Sequence, residues 1–373
     1  MKKKEFYSLG IMSGTSVDGL DFSLIKSDGV KKVKIIKNKF YQFEKSLRKQ
    51  VHEVIDEFNA LSNKNINFKN FKNLDKKFTD FTIKKINIFF KDSNFSSEKI
   101  DVIGIHGNTI YHSAKKKTSI QIGNPEFLAK KFNKFIVYNF RENDLLCGGQ
   151  GAPLVPIFHK SIFVQKNKNV LVVNIGGISN FTFINEKKIL ASDIGPGNVL
   201  LDSFCNVYFN KLFDNNGKIS SSGKVIPELI EEWSKKKFLK IPFQKSFDNY
   251  EFKLKNFIKP NDFSKNDLLR TLTYFSAFII KRTESSLPHS VDNWIICGGG
   301  AKNLTLLSDL RKMVKKGKVY TSDNFGFDSS FIESQAFAYI SIRTIKNLDS
   351  SFPETTGAIK SSISGKIMLP KSI

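Results

Sequence analysis

Two carboxylates, Asp18 and Asp21, stand at and just beyond a bend written in small residues, GIMSGTSVDGLD from Gly10. Such a bend suits the oxygens of a phosphate chain. Gly14 and Gly19 let the backbone come close, Ser13, Thr15 and Ser16 offer hydroxyls, and amides along a glycine bend converge on anions. Two further glycine bends follow apolar runs: NIGG, with Gly176 and Gly177, and CGGGAKN, with Gly298, Gly299, Gly300 and Asn303. None has the P-loop spacing or the GxGxxG dinucleotide pattern. Three bends of this kind predict a nucleotide in a cleft between two lobes, where phosphoryl transfer proceeds by positioning and charge neutralisation. Asp18-Gly19 also reads as a plain hairpin turn, yet a turn alone has no need of Ser13, Thr15 and Ser16.

The elements that must carry these bends are legible from periodicity. Strands are expected over Phe6 to Met12 and Leu20 to Ile25, the second with Leu20, Phe22 and Leu24 on one face. KSLRKQVHEVIDEF and NLDKKFTDFTIKKINIFF predict amphipathic helices. IDVIGIH reads as a short buried strand ending at His106-Gly107, GNPEFLAKKF as a helix capped by Asn124 with Pro125 at its first position, and KFIVYNF as a strand delivering Arg141. After CGGQGAPLVP the pattern restarts: NVLVVNIGGISNFTFINEKKILASDIGPGNVLLDSF predicts strand, glycine turn, strand, hairpin, strand, and a second glycine turn opening a helix. VVNIGGISNFTFI weakly echoes the first hairpin, so a duplicated lobe is expected. NDLLRTLTYFSAFIIKRTESSL is a long buried helix, NWIICGGGAKNLTLLSDLRKM is strand, glycine turn and helix, and SSFIESQAFAYISIRTIKNL is a helix with small residues Ala336 and Ala338. The expected division is an N-terminal lobe over 1–145, to which 351–373 returns, and a C-terminal lobe over 146–350.

At 373 residues the chain exceeds one ordinary core, and about 150 residues per domain suggests two lobes. With 40% hydrophobic and 25% charged residues it has the composition of a globular protein, and no apolar run approaches a membrane span. The basic start fails as a signal peptide, so the chain is expected in the cytoplasm, without a membrane partner. Cys147, Cys205 and Cys297 are odd in number and widely spaced, which excludes a fully paired disulfide framework and a CxxC knuckle. A net charge of +24 and runs such as KKVKIIKNK and SAKKKTS raise nucleic acid as a partner. The lysines are spread among Asn, Ile and 36 Phe, and no nucleic-acid module signature accompanies them, so no specific nucleic-acid binding is expected.

GIMSGTSVDGLD, GIHGNT, FRENDLLCGGQGAPLVPIFH, NIGGISN, DIGPGN, CGGGAKN and ESQAFA together closely resemble the anhydro-N-acetylmuramic acid kinases, in the family's order from about Gly10 to Gly357. The resemblance implies a two-lobed α/β fold of the actin-like, hexokinase-type ATPases: duplicated mixed sheets with flanking helices and the nucleotide in the interlobe cleft. It implies that ATP and water convert 1,6-anhydro-N-acetylmuramate to N-acetylmuramate 6-phosphate and ADP in cell-wall recycling; the alternatives are an ordinary sugar kinase of the same fold acting on a free hydroxyl and an actin-like scaffold that binds ATP. Dimers are common in the family. The family's ATP-binding stretch maps onto Gly14, Thr15, Ser16, Val17, Asp18, Gly19, Leu20 and Asp21, with Asp18 or Asp21 helping to hold Mg²⁺ directly or through water. Gly176 and Gly177 add to the nucleotide set, and Gly298, Gly299, Gly300 and Asn303 are expected to flank its adenosine end, a reading compatible with a tight strand-to-helix turn there.

Asp193 resembles the family's catalytic aspartate, a general base for the water that attacks the anomeric carbon; its structural alternative is an Asx turn before Gly-Pro. Glu333 maps to a glutamate that contacts the sugar, although Ser330-x-x-Glu333 also has capping-box spacing. Arg141 either neutralises charge in the transition state, holds the lactyl carboxylate of the sugar, or makes an interlobe ion pair, and Asp144 is a site carboxylate or, as preferred here, a helix cap. Ser13, His106, Asn108 and Thr109 stand where hydroxyls of a sugar could be bound, with Asn108 in the place where the family usually has Gln. His106 alone reads equally as a satisfied structural residue. Lys245, Ser246 and Asp248 resemble a Pro-Pro-Lys-Ser block of the family, and no chemistry is expected of them.

Overall fold

A computed structural model describes residues 4–14, 16–60, 68–243, 245–247, 251–258 and 263–370. The chain divides into two compact units, one of residues 1–162 with 333–373 and the other of residues 163–332. The boundary expected at 145/146 falls within a short helix of the first unit.

In the first unit, β1 (Phe6–Met12), β2 (Gly19–Ser27) and β3 (Val33–Gln42) form an antiparallel meander. On its other side β1 pairs in parallel with β4 (Val102–Ser113), and β4 with β6 (Phe135–Tyr138). A hairpin partner, β5 (Thr118–Ile122), and the C-terminal β12 (Lys366–Met368), antiparallel to β6, complete the sheet. In the second unit β7 (Val170–Ile175), β8 (Ile178–Ile184) and β9 (Ile189–Pro196) form the same meander. There β10 (Asn293–Cys297) and β11 (Lys318–Thr321) add the same two parallel strands beside β7. The strand orders β3-β2-β1-β4-β6 and β9-β8-β7-β10-β11 are therefore one topology used twice. This is the duplicated mixed-sheet α/β architecture that the motifs imply.

Helices cover the sheets. α1 (Lys45–Ala60), α2 (Phe68–Ser93), α3 (Pro125–Phe132), α4 (Glu142–Leu146) and α5 (Pro156–Phe163) belong mainly to the first unit. α6 (Val199–Phe209), α7 (Pro227–Ser234), α8 (Lys265–Arg282) and α9 (Leu304–Met313) belong to the second, and α10 (Ile332–Ile345) and α11 (Pro353–Thr356) return to the first. Alternation along β1 and β2 sends Leu9, Ile11, Leu20, Phe22 and Leu24 into one core with Val51, Phe78 and Phe89 of α1 and α2. The second core gathers Leu171, Val173, Phe181 and Phe183 of the sheet with Phe204, Leu272 and Leu306 of α6, α8 and α9. As expected, Asn124 caps α3, its side chain accepting from the amides of Glu126 and Phe127.

The other face of β1 and β4 carries α10 at unusually short range. A Cβ on Gly10 would lie 2.0 Å from the Ser334 carbonyl oxygen and 2.5 Å from the Ala338 nitrogen, and one on Gly104 would lie 2.0 Å from Ser341 Oγ. Ser334, Ala338 and Ser341 follow helical spacing, so they form the small-residue face. Ala336 lies roughly 200° round the helix from Ala338 and is buried elsewhere.

One expectation is corrected. The strand read as ending at Gly107 continues to Ser113, because Gly107 takes a left-handed φ of +70° and lets β4 bend on to pair with β5. KKVKIIKNK lies largely in β3, whose outer edge has no partner strand among the described residues, and SAKKKTS forms the β4–β5 turn. Lysines in those two places keep a strand edge and a hairpin tip in water. No helix among the described residues is long and apolar enough to cross a membrane.

Gly10→Ala should lower stability by about 1–3 kcal/mol, the cost of overpacking a backbone contact. Urea denaturation checks this, and an unchanged midpoint would mean that α10 is free to rise off the sheet.

Candidate active site

In the first unit the candidate residues collect around the carboxyl ends of β1 and β6 and the bend at Gly107 in the middle of β4. Ser13 is buried; its amide donates to the Gly107 carbonyl at 3.3 Å. The Asn108 amide group donates to Ser13 Oγ at 3.0 Å and to the Gly14 carbonyl at 2.9 Å. Asn108 thus commits its donors to the bend. Thr109 accepts from Gln121 Nε2 at 3.4 Å across the β4–β5 hairpin.

The bend itself is tight. The Val17 amide donates to the Gly14 carbonyl, and Val17 holds φ at +51°, a strained conformation for a β-branched residue and one that concentrates at functional sites. The side chains of Val17 and Leu20 are in the core, so only their backbone can serve a ligand. Asp18 is exposed, with Oδ1 accepting from Ser16 Oγ at 2.9 Å, and Asp21 sits on β2 opposite Met12. Thr15 lies outside the described residues.

His106 is the extra residue of a β-bulge: Ile11 pairs with Ile105 and Met12 with Gly107, which leaves His106 out of the ladder and re-aims its ring. The ring packs on Phe337 of α10 at 4.5 Å between centroids. His106 Nε2 accepts from Arg141 Nε at 3.0 Å, while Arg141 Nη1 donates to the Gly151 carbonyl at 2.7 Å. Burial, and then the Arg141 charge, hold the His106 pKa well below the usual histidine range, so the ring is neutral. Glu333, in the first turn of α10, is pushed in the opposite direction: burial raises its pKa and Arg141 partly offsets this.

Asp144 does not cap a helix. It lies inside α4, buried, and its carboxylate accepts from the Gly151 amide at 2.6 Å and from the hydroxyls of Ser351 and Thr356. The Gly151 carbonyl that receives Arg141 is therefore held from behind.

In the second unit Asp193 sits within β9 rather than in a turn, next to another bulge: Asn180 pairs with Asp193 and Ser179 with Gly195, leaving Ile194 over. Its Oδ2 accepts from the Phe247 amide at 2.8 Å, and its own amide donates to the Lys245 carbonyl at 3.1 Å. The stretch expected to do nothing therefore orients this carboxylate. Its likeness to a Pro-Pro-Lys-Ser block was the available signal. Burial lowers the Lys245 pKa, with Asp193 opposing. Asp248 lies outside the described residues.

The Gly176 and Gly177 carbonyls accept the amides of Asn198, Gly197 and Val199, locking the β7–β8 turn to the start of α6. Asn303 is occupied locally, since its Oδ1 caps α9 by accepting from the Leu306 amide at 3.0 Å.

The glycines of the bends fall into two kinds. Gly19, Gly298 and Gly300 are forced by packing: an added Cβ would lie 2.3 Å from the Tyr41 carbonyl oxygen, 2.3 Å from Asn174 Oδ1 and 2.2 Å from Ile175 Cγ2 respectively. Gly14, Gly176 and Gly299 have no such reason. Their nearest neighbours would lie at 3.8, 3.4 and 3.7 Å, and none has a left-handed φ. A Cβ would make only ordinary contacts at these three positions, so packing does not demand glycine there, and close approach of a ligand to the backbone would.

The sequence profile described as "Anhydro-N-acetylmuramic acid kinase" matches residues 6–370. A protein of that name from Pelagibacter ubique (strain HTCC1062) is 38% identical over 98% of this chain and 99% of its own length. One from Bacillus cereus (strain ATCC 10987 / NRS 248) is 34% identical over 98% and 99%, and one from Bradyrhizobium diazoefficiens is 34% identical over 97% and 99%. Among solved structures, component A of Acidaminococcus fermentans (R)-2-hydroxyglutaryl-CoA dehydratase aligns with 91% of this chain and 99% of its own at 11% identity and a TM-score of 0.47.

Two outcomes follow from the geometry. Gly14→Ala should leave the denaturation midpoint within about 0.5 kcal/mol of the parent yet raise KM for ATP roughly tenfold or more. Steady-state kinetics beside urea melts test the pair. Glu333→Gln should be more stable than the parent at pH 7, because a carboxyl whose folded pKa is raised loses its stabilising contribution as pH climbs through that pKa. The advantage should open above pH 4.5, the ordinary value, and close below it; a pH series of melts in which the glutamine variant is never ahead would contradict it.

Proposed function

The chain belongs to the anhydro-N-acetylmuramic acid kinase family, and we propose that its ATP-dependent conversion of 1,6-anhydro-N-acetylmuramate to N-acetylmuramate 6-phosphate and ADP uses Asp193 as general base. The observation carrying this assignment is the buried carboxylate beside a β-bulge, with one oxygen anchored by a backbone amide. A carboxylate fixed in this way can receive a proton in one defined direction. It takes the proton of a water whose oxygen bonds to the anomeric carbon. The bond from that carbon to O6 breaks, and O6 receives the γ-phosphoryl group as ADP departs. Phosphoryl capture stands where an inverting glycosidase would place its acid, so one carboxylate suffices and the anomeric centre inverts.

Arg141 and Glu333 are assigned to the sugar. Neutral His106 leaves the guanidinium fully charged and turned by two fixed acceptors, suited to a carboxylate or to charge building on the transferring group. Gly14 and Gly176, whose glycine identity packing does not require, are assigned to the triphosphate, and Gly299 to the adenosine end, each through its backbone. Ser13 and Asn108 shape the bend, and Thr109 remains a candidate for a sugar hydroxyl.

Asp18 and Asp21 offer hard carboxylate oxygens, one of them exposed, which fits Mg²⁺ held mainly by phosphate oxygens and water. Bound there, it would supply neutralisation of phosphate charge. The reaction belongs in the cytoplasm, where ATP is available.

Asp193→Asn should reduce kcat by about 10²–10⁴-fold while ATP affinity is kept. In oxygen-18 water the parent should place heavy oxygen on the anomeric carbon and phosphate on O6 of the same product molecule. Label in the phosphate, or normal turnover of the asparagine variant, would refute the assignment.

A further inference from the structure

We propose that His106 and Asn108 form a hydrogen-bonded relay that couples binding of the anhydro sugar at Arg141 to binding of the triphosphate at the Ser13–Gly14 bend, both acting as positioning residues. The proposal rests on the preceding reading of Arg141 and of the bend.

The relay is continuous within the first unit. A guanidinium has only donors, so the contact at 3.0 Å from Arg141 Nε makes His106 Nε2 the unprotonated nitrogen. The ring proton is then on Nδ1, which donates to the Gly107 carbonyl at 3.1 Å. That same carbonyl accepts the Ser13 amide at 3.3 Å. One residue on, both hydrogens of the Asn108 amide go to the bend, at 3.0 Å on Ser13 Oγ and 2.9 Å on the Gly14 carbonyl. Asn108 Oδ1, buried, has no hydrogen-bond partner among the described residues, so the two donations alone orient this amide.

Burial makes the chain stiff. His106, Asn108 and Ser13 are 3%, 1% and 2% exposed, so water does not compete for their hydrogen bonds. Gly107 supplies the geometry: at its φ of +70°, an added Cβ would stand 1.9 Å from the Ile122 carbonyl oxygen, which makes the position glycine-only. The bulge prevents His106 from pairing its side chain into the sheet pattern and aims it at Arg141 instead. A displacement of the guanidinium by the sugar must therefore be answered by the His106 ring, the Gly107 carbonyl and the bend amides. Coupling between two ligands is reciprocal in binding free energy.

Calorimetry of the full chain with a β,γ-imido analogue of ATP, with and without saturating 1,6-anhydro-N-acetylmuramate, tests the relay. In the parent, the sugar should tighten the analogue about 5–150-fold, and the analogue should tighten the sugar by the same factor. His106→Phe keeps a ring against Phe337 but removes both nitrogens. Asn108→Leu is close in size and removes both donors without placing a charge beside the triphosphate. In each, the two ligands should still bind singly while the coupling factor drops below about threefold. If one variant does not fold, the other decides. A parent factor near one, or a factor kept in a folded variant, overturns the relay while leaving the functional reading intact. Failure of the parent to bind either ligand singly would overturn that reading and the relay together.

Discussion

The close contact of α10 with β1 and β4 governs the first unit. Two glycines without side chains and three small helical residues bring backbone to backbone, closer than any Cβ at Gly10 or Gly104 would allow. This approach fixes the axial position of α10, and so the place of Glu333 in its first turn and of the Phe337 ring, which lies against His106. His106 in turn fixes Arg141. A helix raised by one methyl group would lose the ring contact and the orientation of the guanidinium with it. Ser334 bonding to Ser23 across the same interface shows that the fit is polar as well as steric.

The site is built by local departures from regular structure. Each sheet carries a bulge beside a candidate residue, at His106 in one and immediately after Asp193 in the other. The extra residue breaks the ladder, and a side chain that regular pleating would point into a core is presented elsewhere. The Val17 backbone adds strain of the order of 1–3 kcal/mol at the phosphate bend. A fold gives up stability in this way where geometry matters more than packing, and the buried Glu333 carboxyl is a further cost of the same kind.

Much of the architecture was legible because period-2 and period-3.6 patterns report directly which face is buried. β1 runs from Phe6 to Met12 as expected, and Asn124 caps α3 as its neighbour Pro125 suggests. The β4–β5 hairpin was not legible, since Gly107 has the signature of a strand terminus when it is a bend within one. β3 was obscured by its lysines, which mark an exposed edge and resemble a binding run in one dimension. Asp144 illustrates a subtler limit: it has the setting of a cap and instead braces the Gly151 loop.

By itself the sequence determined the glycine bends after apolar strands, the repeated meander and the family, because these rest on short-range pattern and motif order. Only tertiary structure decided which glycines are there for packing and which are not, since that depends on atoms distant in sequence: Ser334 above Gly10 and Ile175 beside Gly300, whereas Gly14 would meet only its neighbour Ser16, at 3.8 Å. It also decided that Lys245 to Phe247 would orient Asp193, and that Asn108 would hold the bend. A hydrogen bond needs an angle and a distance, and spacing along a chain supplies neither.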